Sequence, residues 1–304
     1  MENSIFNDIP SFNKWVRIEK INKGWSKDQK YYIESKNGEN FLLRLSDIST
    51  YDNKKKEFEM MKKVIKSGIT MSRPIDFGIC GNNRNVYSLL SYVDGVSAEE
   101  KIRGLTDDEQ FNLGIEAGRI LKKFHSIPAP KNTEDWEPRM VRKLQRHLDR
   151  YKSGGLSVKN DSCALEYVQN NMDLLKNRPQ TFQHGDFHLG NLILTEENTL
   201  GVIDFNRWDF GDPYEEFYKM NMFSREVSIP FARGQIIGYF GDKIPDSFFK
   251  LLALYTADTI LFSIVWAVPF GKQDVEDMIK RAEMILVDYD NFKKVIPKWY
   301  INRS

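Results

Sequence analysis

Cysteine is nearly absent: the 304 residues hold two, Cys80 and Cys163. Two cysteines build no disulfide framework, and their separation matches no metal-ligand spacing. A reducing, cytoplasmic compartment is the expectation. An excess of charge of one sign is also lacking. Lys and Arg number 44 against 43 Asp and Glu, a net charge of +1. No overall field would draw such a chain onto nucleic acid or a membrane, so neither is expected as a partner. Long apolar runs are missing too. The most apolar stretch, Thr259 to Phe270, is too short to span a bilayer and contains Pro269, so it reads as a buried core helix. The opening "MENSIFNDIP" has no basic region followed by an apolar core and is not expected to be a signal peptide. Repeats and low-complexity segments do not occur. What is present is an ordinary globular composition, 41% hydrophobic and 29% charged, in a chain long enough for two units and a large core.

The first third alternates like strands. "KWVRIEKI", "KYYIES" and "NFLLRLS" follow one another, with Asn37-Gly38 as a hairpin turn between the last two. "TYDNKKKEFEMMKKVIKSG" then places Phe58, Met61 and Ile65 on one helical face, with Gly68 as C-cap. Two further strands are expected around "RPIDFGI" and "NVYSLLSYV". From about Ser97 the period becomes helical. Asp107 or Asp108 can cap a helix that Pro128 closes, and "KSGGLS" is a clear loop. After the stretch Val202–Pro213, helices are expected to fill the chain to about Lys294. A sheet-rich unit followed by a larger helical one is an α+β layout.

The densest chemistry lies in "FQHGDFHLGNLILTEENTLGVIDF", Phe182 to Phe205. "LILT" and "LGVI" read as short strands around the polar turn "EENT". Asn191 and Asp204 are equidistant from that turn, so an antiparallel hairpin brings them together at its open end. Asp186 lies on the loop entering that end. Two oxygen-bearing side chains beside another carboxylate suit a hard cation such as magnesium and one base.

"HGDFHLGN" followed by "VIDF" resembles the catalytic core of the aminoglycoside phosphotransferase and choline kinase family, itself similar in fold to protein kinases. The protein-kinase loop runs His-Arg-Asp-x-x-x-x-Asn, followed by Asp-Phe-Gly. His184, Asp186 and Asn191 stand at the matching offsets, and Asp204 matches the metal-binding aspartate. The resemblance implies a two-lobed protein-kinase-like fold. A small antiparallel sheet plus helix forms the N-lobe, residues 1–92, and the larger, mainly helical C-lobe spans 93–304. It implies an ATP-dependent small-molecule kinase that moves the γ-phosphate to a hydroxyl, most simply an aminoglycoside-modifying enzyme of the antibiotic-resistance type. Asp186 would orient the hydroxyl and accept its proton, and Asn191 and Asp204 would hold Mg2+ against the phosphates. His188 either donates to the transferring phosphate or packs within the loop.

The same resemblance assigns the nucleotide end. The turn "NKGWSKDQ" replaces a glycine-rich loop with a single glycine, Gly24, and Ser26 becomes the phosphate contact. Arg44 takes the place of the strand lysine that pairs the α- and β-phosphates, with Glu57 as its partner. Ser91, Tyr92 and Val93 match the hinge that binds adenine, and GTP is an alternative donor. The acceptor is expected to be small, hydroxylated and cationic. Glu215, Glu216, Asp209, Asp135, Asp274, Glu276 and Asp277 could supply carboxylates, or Trp208, Tyr214, Trp266 and Phe270 an aromatic box. Choline, a sugar or an amino alcohol as acceptor, and a nucleotide-binding module without turnover, stay open.

Three Asp-Phe pairs compete for the metal. Asp76-Phe77-Gly78 comes too early and reads as structural. Asp209-Phe210-Gly211 is the literal kinase match, yet it leads into Gly211-Asp212-Pro213, where Asp212 is expected to cap a helix and Pro213 to enter its first turn. Asp204-Phe205, followed by Asn206 instead of glycine, is the one that meets Asn191.

Overall fold

The alternation in the first third builds a five-stranded antiparallel sheet. A computed structural model describes residues 5–22 and 27–301. Strands β1 (Trp15–Ile21), β2 (Gln29–Ser35), β3 (Asn40–Asp47), β4 (Pro74–Cys80) and β5 (Asn85–Ser91) lie in the order β1-β2-β3-β5-β4. The β2–β3 hairpin turns at Asn37-Gly38, where Gly38 has φ +77°, a region glycine enters without a steric penalty. Ile33, Leu43, Leu45 and Leu89 bury one sheet face against Phe6, Ile9 and Trp15. The period of two then sends Arg44 to the other face. Helix α1 (Tyr51–Val64) covers that face, with the Phe58 ring 5.3 Å from Phe77. Its buried stripe includes Phe58, Met61 and Val64. Ile65, expected in that stripe, begins a 3-10 turn instead and is only half-buried.

By contacts the chain forms two compact units. One is Met1–Val96 with Asn191–Arg207, the other Ser97–Gly190 with Trp208–Ser304. The expected hairpin is present as Leu192–Leu194 paired antiparallel to Leu200–Val202. It belongs to the first unit because its second strand bonds to residues 70–72. Val202 N–H donates to the Thr70 carbonyl at 2.9 Å, and Ser72 N–H to the Val202 carbonyl at 3.3 Å. Such long-range pairing leaves no local trace, which is why a sequential division at 92/93 keeps this hairpin with the later residues.

The second unit is mainly helical. Its principal helices are α2 (Asp107–Phe124), α3 (Trp136–Ser153), α4 (Asp161–Asn170), α5 (Ile229–Phe240), α6 (Asp246–Ala267) and α7 (Lys272–Asp288). Thr106, not Asp107 or Asp108, caps α2, closing a capping box with Glu109. Threonine accepts the Glu109 N–H, and the two aspartates occupy the first turn, where the helix dipole favours them. Helices α2 and α5 run side by side with their backbones almost touching. A Cβ on Gly114 would lie 2.2 Å from the Phe231 carbonyl oxygen, and one on Gly238 2.1 Å from that of Ile115. Glycine is therefore the residue these crossings admit.

Helix α6 and the turn after it, Asp246–Phe270, are long and apolar enough to cross a membrane, but 67% of the apolar window is buried inside the fold. Leu254, Ala257, Leu261 and Ile264 pack with Leu144, Leu148, Ile285 and Leu286 of α3 and α7. The core helix expected at Thr259–Phe270 is present as far as Ala267, while Val268 and Phe270 lie in a 3-10 turn and are exposed. Asp209–Gly211 is a short strand, antiparallel to Thr181–Gln183.

Candidate active site

In the first unit the site is built around Arg44. Its guanidinium is 4% exposed, so the charge needs partners. Nη1 donates to Asp204 Oδ1 at 3.0 Å and lies 3.6 Å from Glu57 Oε1. Nη2 donates to Asp28 Oδ2 at 2.7 Å. Lys54 Nζ reaches the same Asp28 oxygen at 2.7 Å and Glu57 Oε2 at 3.4 Å, while Lys30 Nζ lies 3.6 Å from Asp204 Oδ2. Three cations thus face three carboxylates. Burial would lower the pKa of Arg44, but Glu57, Asp204 and Asp28 outweigh it and raise it. Burial would likewise raise that of Asp28, yet Arg44 and the Lys54 hydrogen bond bring it down to about 2.

The hairpin register is Leu192↔Val202, Ile193↔Gly201 and Leu194↔Leu200. Asn191 therefore faces Ile203, whose N–H donates to the Asn191 carbonyl at 3.1 Å. The expected symmetry about "EENT" is off by one, and Asp204 lies one residue past the partner of Asn191. There the chain takes φ +65°, a left-handed conformation that aspartate tolerates better than most residues. Asn191 and Asp204 offer oxygen donors of the kind magnesium takes. No group of three or more His, Cys, Asp or Glu side chains placed for a metal occurs among the described residues. A set of one Asp, one Asn and nucleotide phosphates needs none, so the residues present fit magnesium.

In the second unit the loop 184–190 carries Asp186. Lys219 Nζ sits 2.6 Å from Asp186 Oδ1. His188 Nε2 is 3.8 Å from the same oxygen. Gly190 N–H donates to His188 Nδ1 at 3.1 Å, which makes Nδ1 an acceptor and leaves Nε2 to carry the proton. The His188 ring also packs 5.1 Å from Phe223. The buried Glu216 carboxylate accepts the N–H groups of His184 at 2.7 Å and Gly185 at 2.6 Å.

Of the nucleotide candidates, Ser26 and Gly24 lie outside the described residues. Ser91 ends β5 and Tyr92 follows it, their N–H groups engaged by Arg73 and Asn40 carbonyls at 2.8 and 3.0 Å. The Tyr92 ring is exposed and meets Tyr32 edge-on at 5.1 Å. Val93 follows, its side chain beside Gly201.

The model of the phosphotransferase enzyme family, APH, matches residues 17–248. The chain belongs to this family. No curated protein matches the chain. Several solved structures of aminoglycoside phosphotransferases share the fold. The GDP complex of aminoglycoside 2'-phosphotransferase-IIIa aligns with a TM-score of 0.70 at 12% identity, over 93% of this chain and 96% of that one. The streptomycin–ATP–APH(2")-IIa ternary complex gives 0.65 at 15%, over 99% and 98%. A thermostable mutant of APH(4)-Ia with AMP-PNP and hygromycin B gives 0.66 at 14%, over 90% and 94%.

Within this phosphotransferase, both Asp-Phe-Gly copies have structural partners. Asp76 accepts the Tyr87 hydroxyl at 2.8 Å. Asp209 is exposed on its strand and ion-pairs with Arg139. Asp212 caps no helix. It is fully buried, takes Arg178 at 2.7 and 2.9 Å, and accepts the Tyr255 hydroxyl at 2.7 Å. Residues 213–216 turn, and the next helix starts at Phe217 with Glu216 before it. In the first unit Asp28, Lys54 and Lys30 join the Arg44 cluster, and in the second Lys219 pairs with Asp186; the sequence reading named none of the four. Each sits in a charged stretch that looks like solvated surface, and no motif marks them.

Asp28 gives a testable pH dependence. Its folded pKa lies below the ordinary 3.8, so its stabilisation is full above that value and is lost as pH falls through about 2. A depression of this size corresponds to about 2 kcal/mol. Asp28→Asn should cost about that much in urea unfolding at pH 7 and far less near pH 2. An equal loss at both pH values would refute the assignment.

Proposed function

We propose that this phosphotransferase is an ATP- and magnesium-dependent kinase of small-molecule hydroxyls, with an aminoglycoside as the acceptor favoured by its structural relatives. The observation that carries the reading is Arg44, buried and tied at once to Glu57 at 3.6 Å and to Asp204 at 3.0 Å. A phosphate-pairing cation held by a helix glutamate, with the metal aspartate beside it, suits kinase-type phosphoryl transfer. Relatives of the same fold were solved with GDP, with ATP and streptomycin, and with AMP-PNP and hygromycin B, which supports a nucleotide and a hydroxylated acceptor here.

Asp186 orients the acceptor hydroxyl and takes its proton. The acceptor oxygen bonds to the γ-phosphorus while the bond from that phosphorus to the β–γ bridging oxygen breaks, releasing ADP. Magnesium, held by Asn191 and Asp204, would neutralise phosphate charge. Arg44 pairs the α- and β-phosphates, Glu57 holds Arg44, and Val93 is the hinge residue best able to offer main-chain groups to the base. Such a reaction needs positioning and charge neutralisation more than covalent chemistry. Ser26 as a further phosphate contact stays part of the proposal.

One observation favours a second acceptor class. Three carboxylates expected to hold ammonium groups are engaged by the protein itself. Glu215 pairs with Lys143 at 2.7 Å, Asp209 with Arg139, and Glu216 with two backbone N–H groups. A neutral sugar fits that arrangement better than a polycation does. The test is a screen of aminoglycosides, choline and small sugars with ATP or GTP, read by nucleoside diphosphate release. Magnesium-dependent phosphorylation of an aminoglycoside is the expected result. Phosphorylation of only a neutral acceptor would move the assignment to the second class. Nucleotide binding without turnover of any hydroxyl would overturn both.

A further inference from the structure

We infer that residues Glu216–Ser224 form a clamp on the catalytic loop, and that Lys219 within it is a positioning residue that aims Asp186 at the acceptor hydroxyl. The inference rests on the kinase reading above. Five contacts carry it, all within the second unit. Glu216 accepts the N–H groups of His184 and Gly185 at 2.7 and 2.6 Å. Lys219 Nζ lies 2.6 Å from Asp186 Oδ1. The Phe223 ring packs 5.1 Å from that of His188, and Ser224 Oγ accepts the Leu189 N–H at 3.1 Å. Four residues of one short segment therefore hold five of the six residues from 184 to 189.

The backbone explains how one segment reaches so far. Met220–Ser224 is a π-helix, whose bonds run from i to i+5 and widen the turn. In an α-helix the neighbours of Lys219 one turn on would be residues three and four later. The wider turn makes them four and five later, which are Phe223 and Ser224. One extra residue thus sets a cation, a ring and a hydroxyl on the face that meets the loop. Single π-turns are frequent at functional sites, and this one lies against the loop that bears Asp186.

Charge points the same way. Lys219 is 6% exposed, and a buried ammonium is tolerated only when paired. Phosphoryl transfer through a loose transition state relies on positioning, and the Lys219 contact fixes the carboxylate that orients the hydroxyl. A misplacement of about 1 Å costs on the order of 100-fold in rate.

The experiment compares wild type, Lys219→Met, Lys219→Arg and Ser224→Ala with the acceptor found in the screen. Lys219→Met should lower kcat about 100-fold, while the acceptor KM and nucleotide Kd stay within about threefold. Lys219→Arg should recover at least about tenfold of that loss by restoring the charge. Ser224→Ala loosens only the Leu189 N–H and should lower kcat with the same split, so the clamp is tested even if Lys219→Met does not fold. A wild-type kcat in Lys219→Met, or a loss confined to KM, overturns the positioning role and leaves the kinase reading standing. A wild type that phosphorylates no hydroxyl removes the kinase reading, and this inference with it.

Discussion

Asp186→Asn should stop phosphate transfer while leaving nucleotide binding intact. The substitution keeps the shape of the side chain and removes its negative charge. Lys219, 2.6 Å away, would then face a neutral amide, and the acceptor hydroxyl would lose the group that takes its proton. A positioned proton acceptor contributes typically 10²- to 10⁴-fold, so a loss of about 1000-fold in kcat is expected. Nucleotide affinity should hold, because Arg44, Glu57 and Asp204 belong to the first unit and keep their mutual contacts. ADP release measures the first quantity and a nucleotide titration the second. Full activity in this variant would remove Asp186 from the mechanism.

The largest structural effect is expected at Asp212, which lies outside the proposed chemistry. Its carboxylate is wholly buried and receives Arg178, Tyr255 and the Tyr214 N–H. Tyr255 in turn accepts the Trp136 indole N–H at 3.0 Å. Burial, and then Asp212 beside it, push the Tyr255 hydroxyl far above its ordinary pKa, so it stays a donor. Removing the charge leaves Arg178 unpaired, and breaking a buried pair costs about 3–5 kcal/mol. Asp212→Asn should therefore shift urea unfolding by about that amount. Asp173→Asn is the control. It breaks the exposed pair with Lys176, and such pairs contribute about 0–1 kcal/mol. Equal effects from the two would show that the Asp212 network contributes little.

Much of this fold could be read locally. The five strands, the first helix, the Asn37-Gly38 turn and the apolar core helix follow from periods of two and 3.6 residues and from turn chemistry. Misreadings occurred where a local rule had two candidates. Thr106 and its neighbouring aspartates are all good N-caps, and only the Glu109 partnership separates them. Asp212 precedes a proline, as a cap would, but Arg178 and Tyr255 had to fold against it before its role existed. The hairpin was found and its register missed by one residue, since the turn takes up Thr195 and Thr199 as a hydrogen-bonded pair at 2.9 Å.

The catalytic block was legible because its residues are close in sequence at fixed offsets, so one short peptide carries Asp186, His188 and Asn191. Its surroundings were not. Arg44 and Asp204 are 160 residues apart and meet at 3.0 Å. Asp28 and Lys54 join them from the start of a strand and from a helix, and Lys219 reaches Asp186 from a π-turn that no pattern announces. Charged side chains take their partners from whatever the packing of apolar faces brings near. The amino-acid order thus states which groups are available for chemistry, and the packed chain states which cation each carboxylate faces.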